Sequence, residues 1–181
     1  MNSNERTALY ETIADLAVEA YNNPLDGAEY AAQISEALVD AGVTDQEEGE
    51  KILAEIPVYI VVRNPSGYAP DPDTVYAFSI PGSEDTAEGL RERFLDEIRG
   101  YYDDLELEPE AEAAVKELIS DVENAAPSQF LKGEISAYGP DIPGLGGTHF
   151  FSISAASAAT ALEFAEAEIL LPNDGNDVVP K

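Results

Sequence analysis

The excess of acidic residues is the feature that most constrains how this chain can fold. Thirty-seven Asp and Glu residues stand against nine Lys and Arg, which gives a formal net charge of −28 at pH 7. In dilute buffer, the mutual repulsion of so many carboxylates opposes a compact state. At about 1 M salt the Debye length falls to roughly 3 Å, and most of that repulsion is screened. The charge therefore predicts a protein of a salt-rich environment, from a halophilic organism or its virus.

The acids are spread along the whole chain rather than gathered in one tail. The few Lys and Arg residues are scattered and form no basic stripe, so we expect no direct binding to nucleic acid. Two alternatives to salt adaptation stay open. One is an ordinary acidic protein of a low-salt cell. The other is a protein that imitates DNA, whose duplex carries one negative charge per about 1.7 Å of its axis.

The residue types narrow the chemistry further. The 181 residues include no cysteine, which excludes disulfides, thiol nucleophiles, zinc ribbons and iron–sulfur sites within the chain. No apolar run approaches the length of a membrane span. The N-terminus lacks the basic start and apolar block of a signal peptide. We expect no cofactor, no membrane span, and a cytoplasmic or virion location.

Three helices are predicted over residues 1–56, because apolar residues recur there at helical spacing. Asp26 and Glu29 have the spacing of a capping box for the second helix, and Thr44 and Glu47 have that spacing for the third. The first of the three should bury one stripe of small and aliphatic side chains. The stripe consists of Leu9, Ile13, Leu16 and Ala20.

Residues 57–171 are predicted to form an α+β body with a mainly antiparallel sheet. The body reads as two strand-loop-strand-helix units, at 57–103 and 130–171, joined by a helix that starts with Pro109. Residues 172–181 read as a C-terminal tail. The length suits one compact domain overall.

Three local predictions belong to these units. Ser83 is the expected cap of the helix that follows the first hairpin. Residues 129–138, "QFLKGEISAY", are predicted to be a strand. The segment 155–171 has the alanine content of a helix, but "ALEFAEAEI" within it also alternates with a period of two. Helix and strand both stay open for that segment.

The two units share several short stretches of sequence. "YAPD" at 68–71 matches "YGPD" at 138–141, and "FSI" at 78–80 matches "FSI" at 151–153. The matches fall in equivalent places, so an internal duplication is possible; chance is the alternative, because loops favour Tyr, Gly, Pro and Asp. Tyrosines at the tips of two hairpins would suit a partner surface. The candidate partner-binding residues are Tyr68, Asp71, Tyr138 and Asp141.

No catalytic or metal-binding set emerges from the sequence. Nucleophilic catalysis needs a base beside an activated nucleophile and a third group that orients the base. His149 is the only histidine, and its spacing from Asp141, Ser152 and Ser154 does not favour such a set. A single histidine also makes a usual zinc or iron site improbable. We therefore expect His149 to be structural, with no catalytic and no metal-ligating residues.

These observations predict a non-catalytic structural or interaction protein that acts as a subunit of a larger assembly, for example a virion. Its protein partners would be copies of itself or other subunits of that assembly. An acidic DNA-mimic inhibitor of a nucleic-acid-binding protein is the alternative. A hydrolase that uses paired carboxylates as general acid and base is the third possibility.

Thermal stability should rise with salt if carboxylate repulsion opposes folding. We expect the midpoint of thermal unfolding to increase by several degrees between about 0.1 M and 1 M salt, where the Debye length falls from roughly 10 Å to 3 Å. Circular dichroism melts measure the midpoint, and NaCl and KCl should act alike because screening depends on ionic strength. An unchanged or falling midpoint would contradict salt adaptation.

Overall fold

A computed structural model of the chain describes residues 1–65, 75–82, 84–131, 134–142 and 149–172. Within those residues the chain forms seven α-helices, one short 3-10 turn and a four-stranded antiparallel sheet, which confirms the predicted α+β class with three helices at the N-terminus. None of the described helices is both long and apolar enough to cross a bilayer. The predicted internal duplication stays a prediction, as do the predicted segment boundaries.

The bounds of the elements are as follows. The helices are α1 Ser3–Asn22, α2 Gly27–Asp40, α3 Gln46–Glu55, α4 Thr86–Tyr102, α5 Pro109–Glu123, α6 Pro127–Leu131 and α7 Ala158–Phe164, and the 3-10 turn is Pro24–Asp26. The strands are β1 Pro57–Pro65, β2 Val75–Phe78, β3 Glu134–Tyr138 and β4 His149–Ser157.

The chain divides into two compact units, which we call the helical unit and the sheet unit. The helical unit comprises Met1–Tyr59, Ala77–Pro81 and Ala156–Lys181. The sheet unit comprises Ile60–Tyr76 and Gly82–Ala155. Residues 173–181, which are almost all of the predicted C-terminal tail, lie outside the described residues.

In the helical unit, α1 begins with a complete capping box. The Asn2 side chain accepts a hydrogen bond from the Glu5 backbone N–H at 2.9 Å, and the Asn2 N–H donates to the Glu5 carboxylate at 2.8 Å. This reciprocal pair satisfies two N–H groups that the helix itself leaves unpaired. The helix packs against α2 through a buried stripe. The stripe contains Leu9, Ile13, Ala17 and Ala20 on α1, with Ala31, Ile34 and Leu38 on α2.

The two helix caps predicted in this unit differ in detail. Asp26 precedes α2, but its side chain makes no capping bond, because the 3-10 turn gives it φ −100° and ψ 10° rather than the extended conformation of an N-cap. The cap of α3 is Asp45 rather than Thr44. The Asp45 carboxylate accepts from the Glu48 N–H at 2.9 Å. Both predictions located the start of the helix correctly but assigned a capping hydrogen bond that is not formed.

Gly42 ends α2, as its position after the last apolar residue predicts. Its φ of +89° lies in the left-handed region that favours glycine. The Gly42 N–H donates to the Val39 carbonyl at 2.9 Å, and the Val43 N–H donates to the Leu38 carbonyl at 2.9 Å. This is the Schellman arrangement, which satisfies the last carbonyls of a helix.

In the segment 155–171, residues 155–157 belong to β4, residues 158–164 form a helix, and residues 165–171 are in neither a helix nor a strand. After the end of β4, α7 forms one short helix, and then residues 165–171 alternate strictly between buried and exposed. The alternation is the period of two that "ALEFAEAEI" carries. Its buried members are Ala165, Ala167, Ile169 and Leu171.

Side chains take the place of a neighbouring strand along this alternating segment. The Gln46 amide accepts from the Leu171 N–H and donates to the Ile169 carbonyl, both at 3.0 Å. The Ser35 hydroxyl accepts from the Leu170 N–H at 3.1 Å. The segment is therefore attached to the helical unit by an amide and a hydroxyl from α3 and α2.

The strand order in the sheet is β2-β1-β4-β3, so β3 is an edge strand. β3 and β4 pair antiparallel, with Glu134 opposite Ser154 and Tyr138 opposite Phe150. Because neighbouring strands run antiparallel, the last residues of β1 and β3 and the first residues of β2 and β4 lie at the same end of the sheet. We call this the hairpin end of the sheet.

Helix α4 covers one face of the sheet. The Tyr76 hydroxyl of β2 hydrogen-bonds to Glu97, and Tyr101 contacts Arg63 of β1 and His149 of β4. The helix buries an apolar stripe that includes Leu90, Phe94 and Ile98.

Two predicted details of this unit are outside the described residues or wrong. Ser83 lies outside the described residues, and α4 is capped by Asp85, which accepts from the Glu88 N–H at 3.2 Å. The predicted strand 129–138 is wrong in its first part, because the short helix α6 begins at Pro127 and runs to Leu131. Phe130 in this helix is 1% exposed. Among the described residues of that stretch, 134–138 are strand.

Replacing Gln46 with Ala should weaken attachment of the alternating segment. The substitution removes two hydrogen bonds to partly buried backbone groups, so we expect a loss of about 1–3 kcal/mol in the free energy of unfolding. Urea unfolding at molar salt, followed by circular dichroism, measures the loss. Gln33→Ala is the matched control, because Gln33 is exposed on α2 and should change stability by less than about 0.5 kcal/mol. Equal effects of the two substitutions would contradict the attachment.

Candidate interaction site

The hairpin end of the sheet brings together the sequence-predicted residues that the structure describes. Tyr138 is the last residue of β3 and is 65% exposed. Asp141 lies three residues further on and is also exposed. Tyr68 and Asp71 lie outside the described residues, so their place at this site stays a prediction.

Tyr138 is held in place although it is exposed. It stands directly opposite Phe150 in the sheet, and the two rings pack at 5.0 Å between centroids with 46° between their planes. A cross-strand aromatic pair of this kind stabilises its position on the sheet. The ladder continues for one more bond, since the Gly139 N–H donates to the His149 carbonyl at 2.8 Å. The ring of Tyr138 therefore presents an ordered apolar surface on an edge strand.

On the other face of the same sheet end, three residues form a second cluster. The Tyr101 hydroxyl lies 3.2 Å from His149 Nδ1, and the two rings pack at 4.1 Å between centroids. The Arg63 guanidinium carbon lies 5.4 Å from the centre of the Tyr101 ring, which is the range of a cation–π interaction. We call Arg63, Tyr101 and His149 the arginine cluster.

The arginine cluster holds one full charge at neutral pH. Burial lowers the pKa of His149, which is 8% exposed, and the positive charge of Arg63 lowers it further. Burial raises the pKa of Tyr101, and Arg63 opposes part of that rise. His149 and Tyr101 are therefore both neutral, and the guanidinium is the charged group that the cluster offers.

The geometry does not assemble the serine–histidine set that was considered from the sequence. Alternate residues of a strand point to opposite faces. His149 is on the face that α4 covers, whereas Ser152 and Ser154 are on the opposite face with Ser136 and Tyr138. His149 has Tyr101 as its hydrogen-bond partner. Among the described residues, no group of three or more His, Asp or Glu side chains is placed to hold a metal ion.

Gly139 is required by a neighbour of the arginine cluster. A Cβ at this position would overlap the Tyr102 hydroxyl, so only glycine allows the two to approach. That hydroxyl is buried and makes no hydrogen bond with any residue that the structure describes. Burial raises the pKa of Tyr102 to about 12. The close approach explains why "YGPD" has glycine where the matching "YAPD" has Ala69.

Sequence reasoning did not identify Arg63, Tyr101 or Phe150 as parts of this site. One signal was present, since Arg63 ends the apolar run "VYIVV". Its proximity to Tyr101 depends on how α4 packs on the sheet, which no local pattern specifies.

Acidification should destabilise the protein through His149. Its pKa is lower when folded than when unfolded, so the unfolded chain binds the proton first, and stability falls as pH decreases below about 6.5. His149→Gln removes this term. We expect the difference in free energy of unfolding between the native protein and the variant to narrow from pH 7.5 towards about pH 5.5, measured by urea unfolding at molar salt. A difference that is constant with pH would contradict a neutral, buried His149.

No protein-family model, no curated protein and no solved structure matches the sequence.

Proposed function

We propose that this chain is a non-catalytic interaction protein of a salt-rich environment, from a halophilic organism or its virus. It acts as a subunit of a larger assembly, such as a virion, and contacts its neighbours through the hairpin end of the sheet. The observation that carries the proposal is Tyr138, an aromatic side chain that is 65% exposed and fixed by Phe150.

An ordered, exposed tyrosine is suited to bind a protein. Tyrosine supplies a large apolar area together with a hydroxyl, and it loses little conformational entropy on binding because it has few rotatable bonds. Packing against Phe150 restricts it before a partner arrives, so less entropy is lost on association. This supports Tyr138 as an anchor of the interface.

The edge position of β3 supports the same role. Edge strands leave backbone N–H and C=O groups that can pair with a strand of another chain. On the face of β3 opposite to Ile135 and Ala137, Ser136 is small, polar and exposed. A partner strand or loop could approach here without displacing a buried side chain.

The acidic surface links assembly to salt. Five ion pairs are present among the described residues, and most of their side chains are largely exposed. With 37 acidic residues and only nine basic ones, most carboxylates have no cation of the chain to pair with. Subunits with this charge repel each other in dilute buffer and can approach closely when the Debye length is short.

Replacing Tyr138 with Ala should weaken assembly. We expect the mass measured by light scattering at about 1 M salt to fall towards that of a single chain, because the variant loses an aromatic anchor whose removal commonly costs 2 kcal/mol or more in binding free energy. Tyr68→Ala tests the predicted equivalent residue in the first hairpin. A native protein that is a single chain in molar salt would overturn the proposal.

Leu25→Ala is the matched control for surface apolarity. Leu25 is 99% exposed and lies in the helical unit, not in the sheet unit that contains Tyr138. Its replacement should leave the mass unchanged. Equal losses of mass in the two variants would count against the hairpin end as the contact surface.

A further inference from the structure

We propose that Arg63, placed over Tyr101, is a binding site for a carboxylate, and that its ligand is an Asp or Glu side chain on the assembly partner. The identity of the partner rests on the proposed function above. The existence of the site does not rest on that function, because it follows from comparing the ion pairs that the arginines of this chain make with carboxylates.

Arg63 differs from three of the other four arginines, each of which forms an ion pair with a glutamate. Arg6 pairs with Glu55 at 3.2 Å, Arg99 pairs with Glu123 at 2.6 Å, and Arg91 pairs with Glu88. Arg63 is half-buried and makes no ion pair and no hydrogen bond with any described residue. In a chain where acids outnumber cations about fourfold, from 37 against nine, a half-buried guanidinium without a carboxylate is the exception.

Elsewhere in the chain, an arginine that is stacked on a tyrosine also binds a carboxylate. The Arg6 guanidinium carbon lies 5.1 Å from the centre of the Tyr10 ring. Glu55 then accepts from Arg6 at 3.2 Å and from the Tyr10 hydroxyl at 3.0 Å. Arg63 and Tyr101 repeat the first two members of this set at 5.4 Å. A carboxylate is the member that would complete it.

The electrostatics favour one carboxylate over a doubly charged anion. The guanidinium fork matches a carboxylate through two parallel hydrogen bonds. His149 is neutral, because burial and Arg63 both lower its pKa, so the cluster offers a single positive charge. With a net charge of −28, the rest of the chain repels a dianion more strongly than a monoanion.

His149 reports occupancy of the site. A carboxylate at Arg63 offsets the positive charge that lowers the pKa of His149, so binding raises that pKa. Because His149 is the only histidine in the chain, its imidazole signals can be assigned without ambiguity in an NMR spectrum. The readout does not need assembly, because formate can stand in for the partner's carboxylate.

The test is a pH titration of His149 by NMR as potassium formate replaces KCl at a constant ionic strength of about 1 M, which keeps screening unchanged. Formate is the probe because it stays ionised throughout the titration. We expect a saturable displacement of the imidazole signals and a rise of roughly half a pH unit in the pKa of His149, as one nearby charge is offset. No response to formate in either the native protein, where a partner's carboxylate can already occupy the site, or Tyr138→Ala, which is expected to be a single chain, overturns the proposal.

Three variants make the test specific. In Arg63→Gln the pKa of His149 should start higher and should not respond to formate, whereas Arg63→Lys keeps the charge, loses the fork and should respond more weakly. Arg6→Gln is the matched control, because Arg6 stacks on a tyrosine but already has Glu55, and it should respond as the native protein does. A full response in Arg63→Gln overturns the proposal. An equal response of the native protein to potassium sulfate overturns the preference for a carboxylate.

Light scattering of the same variants separates this inference from the proposed function. If both hold, Arg63→Gln lowers the mass of the assembly as Tyr138→Ala does. If the mass depends on Tyr138 while Arg63→Gln changes neither the mass nor the formate response, this inference alone fails. If formate binds at Arg63 but the native protein is a single chain, the site stands and the assembly role fails.

Discussion

Repulsion between carboxylates is the constraint on which the rest of this molecule depends. It explains why folding and association should both respond to screening. Acids at helix starts are locally favourable, since the helix dipole and the free N–H groups stabilise negative charge there. Asp45 and Asp85 cap α3 and α4, and Glu5 takes part in the capping box of α1. Acidic residues therefore stabilise the starts of helices, although their mutual repulsion opposes compaction of the whole chain.

Much of the architecture could be predicted because it follows from periodicity and from Pro and Gly. The stop at Gly42 and the start of α5 at Pro109 are local signals, and the structure contains both. The predicted stripe on α1 is buried at Leu9, Ile13 and Ala20, but Leu16 is only partly buried, and Ala17 takes its place. The end of α7 could not be predicted in this way. Glu166 adopts φ 52° there, in the position that glycine usually occupies, and no residue type marks it. The two-part nature of 155–171 was therefore visible only as a conflict between two periods.

The candidate site was predictable only where it lies in one hairpin. Tyr138 and Asp141 follow from a strand that ends in a tyrosine and a turn. The arginine cluster joins three distant parts of the chain, at 63, 101 and 149. Its formation depends on the order of the strands and on the rotation of α4 over them, and neither is encoded in a short stretch of sequence. Charge counting could have indicated that an arginine without a carboxylate is unusual, but not which arginine it is.

The contacts from Gln46 and Ser35 to the last described stretch of chain have a consequence for how this protein can change over evolution. A stretch paired to a neighbouring strand is secured by peptide groups, which every residue but proline supplies, so substitution rarely removes the bond. Here the securing groups are one amide and one hydroxyl. A single codon change at either position removes backbone hydrogen bonds of this stretch while the surrounding helices keep their own, and its buried side chains then have to hold it in place. This stretch therefore depends on the identity of distant side chains in a way that a strand of the sheet does not.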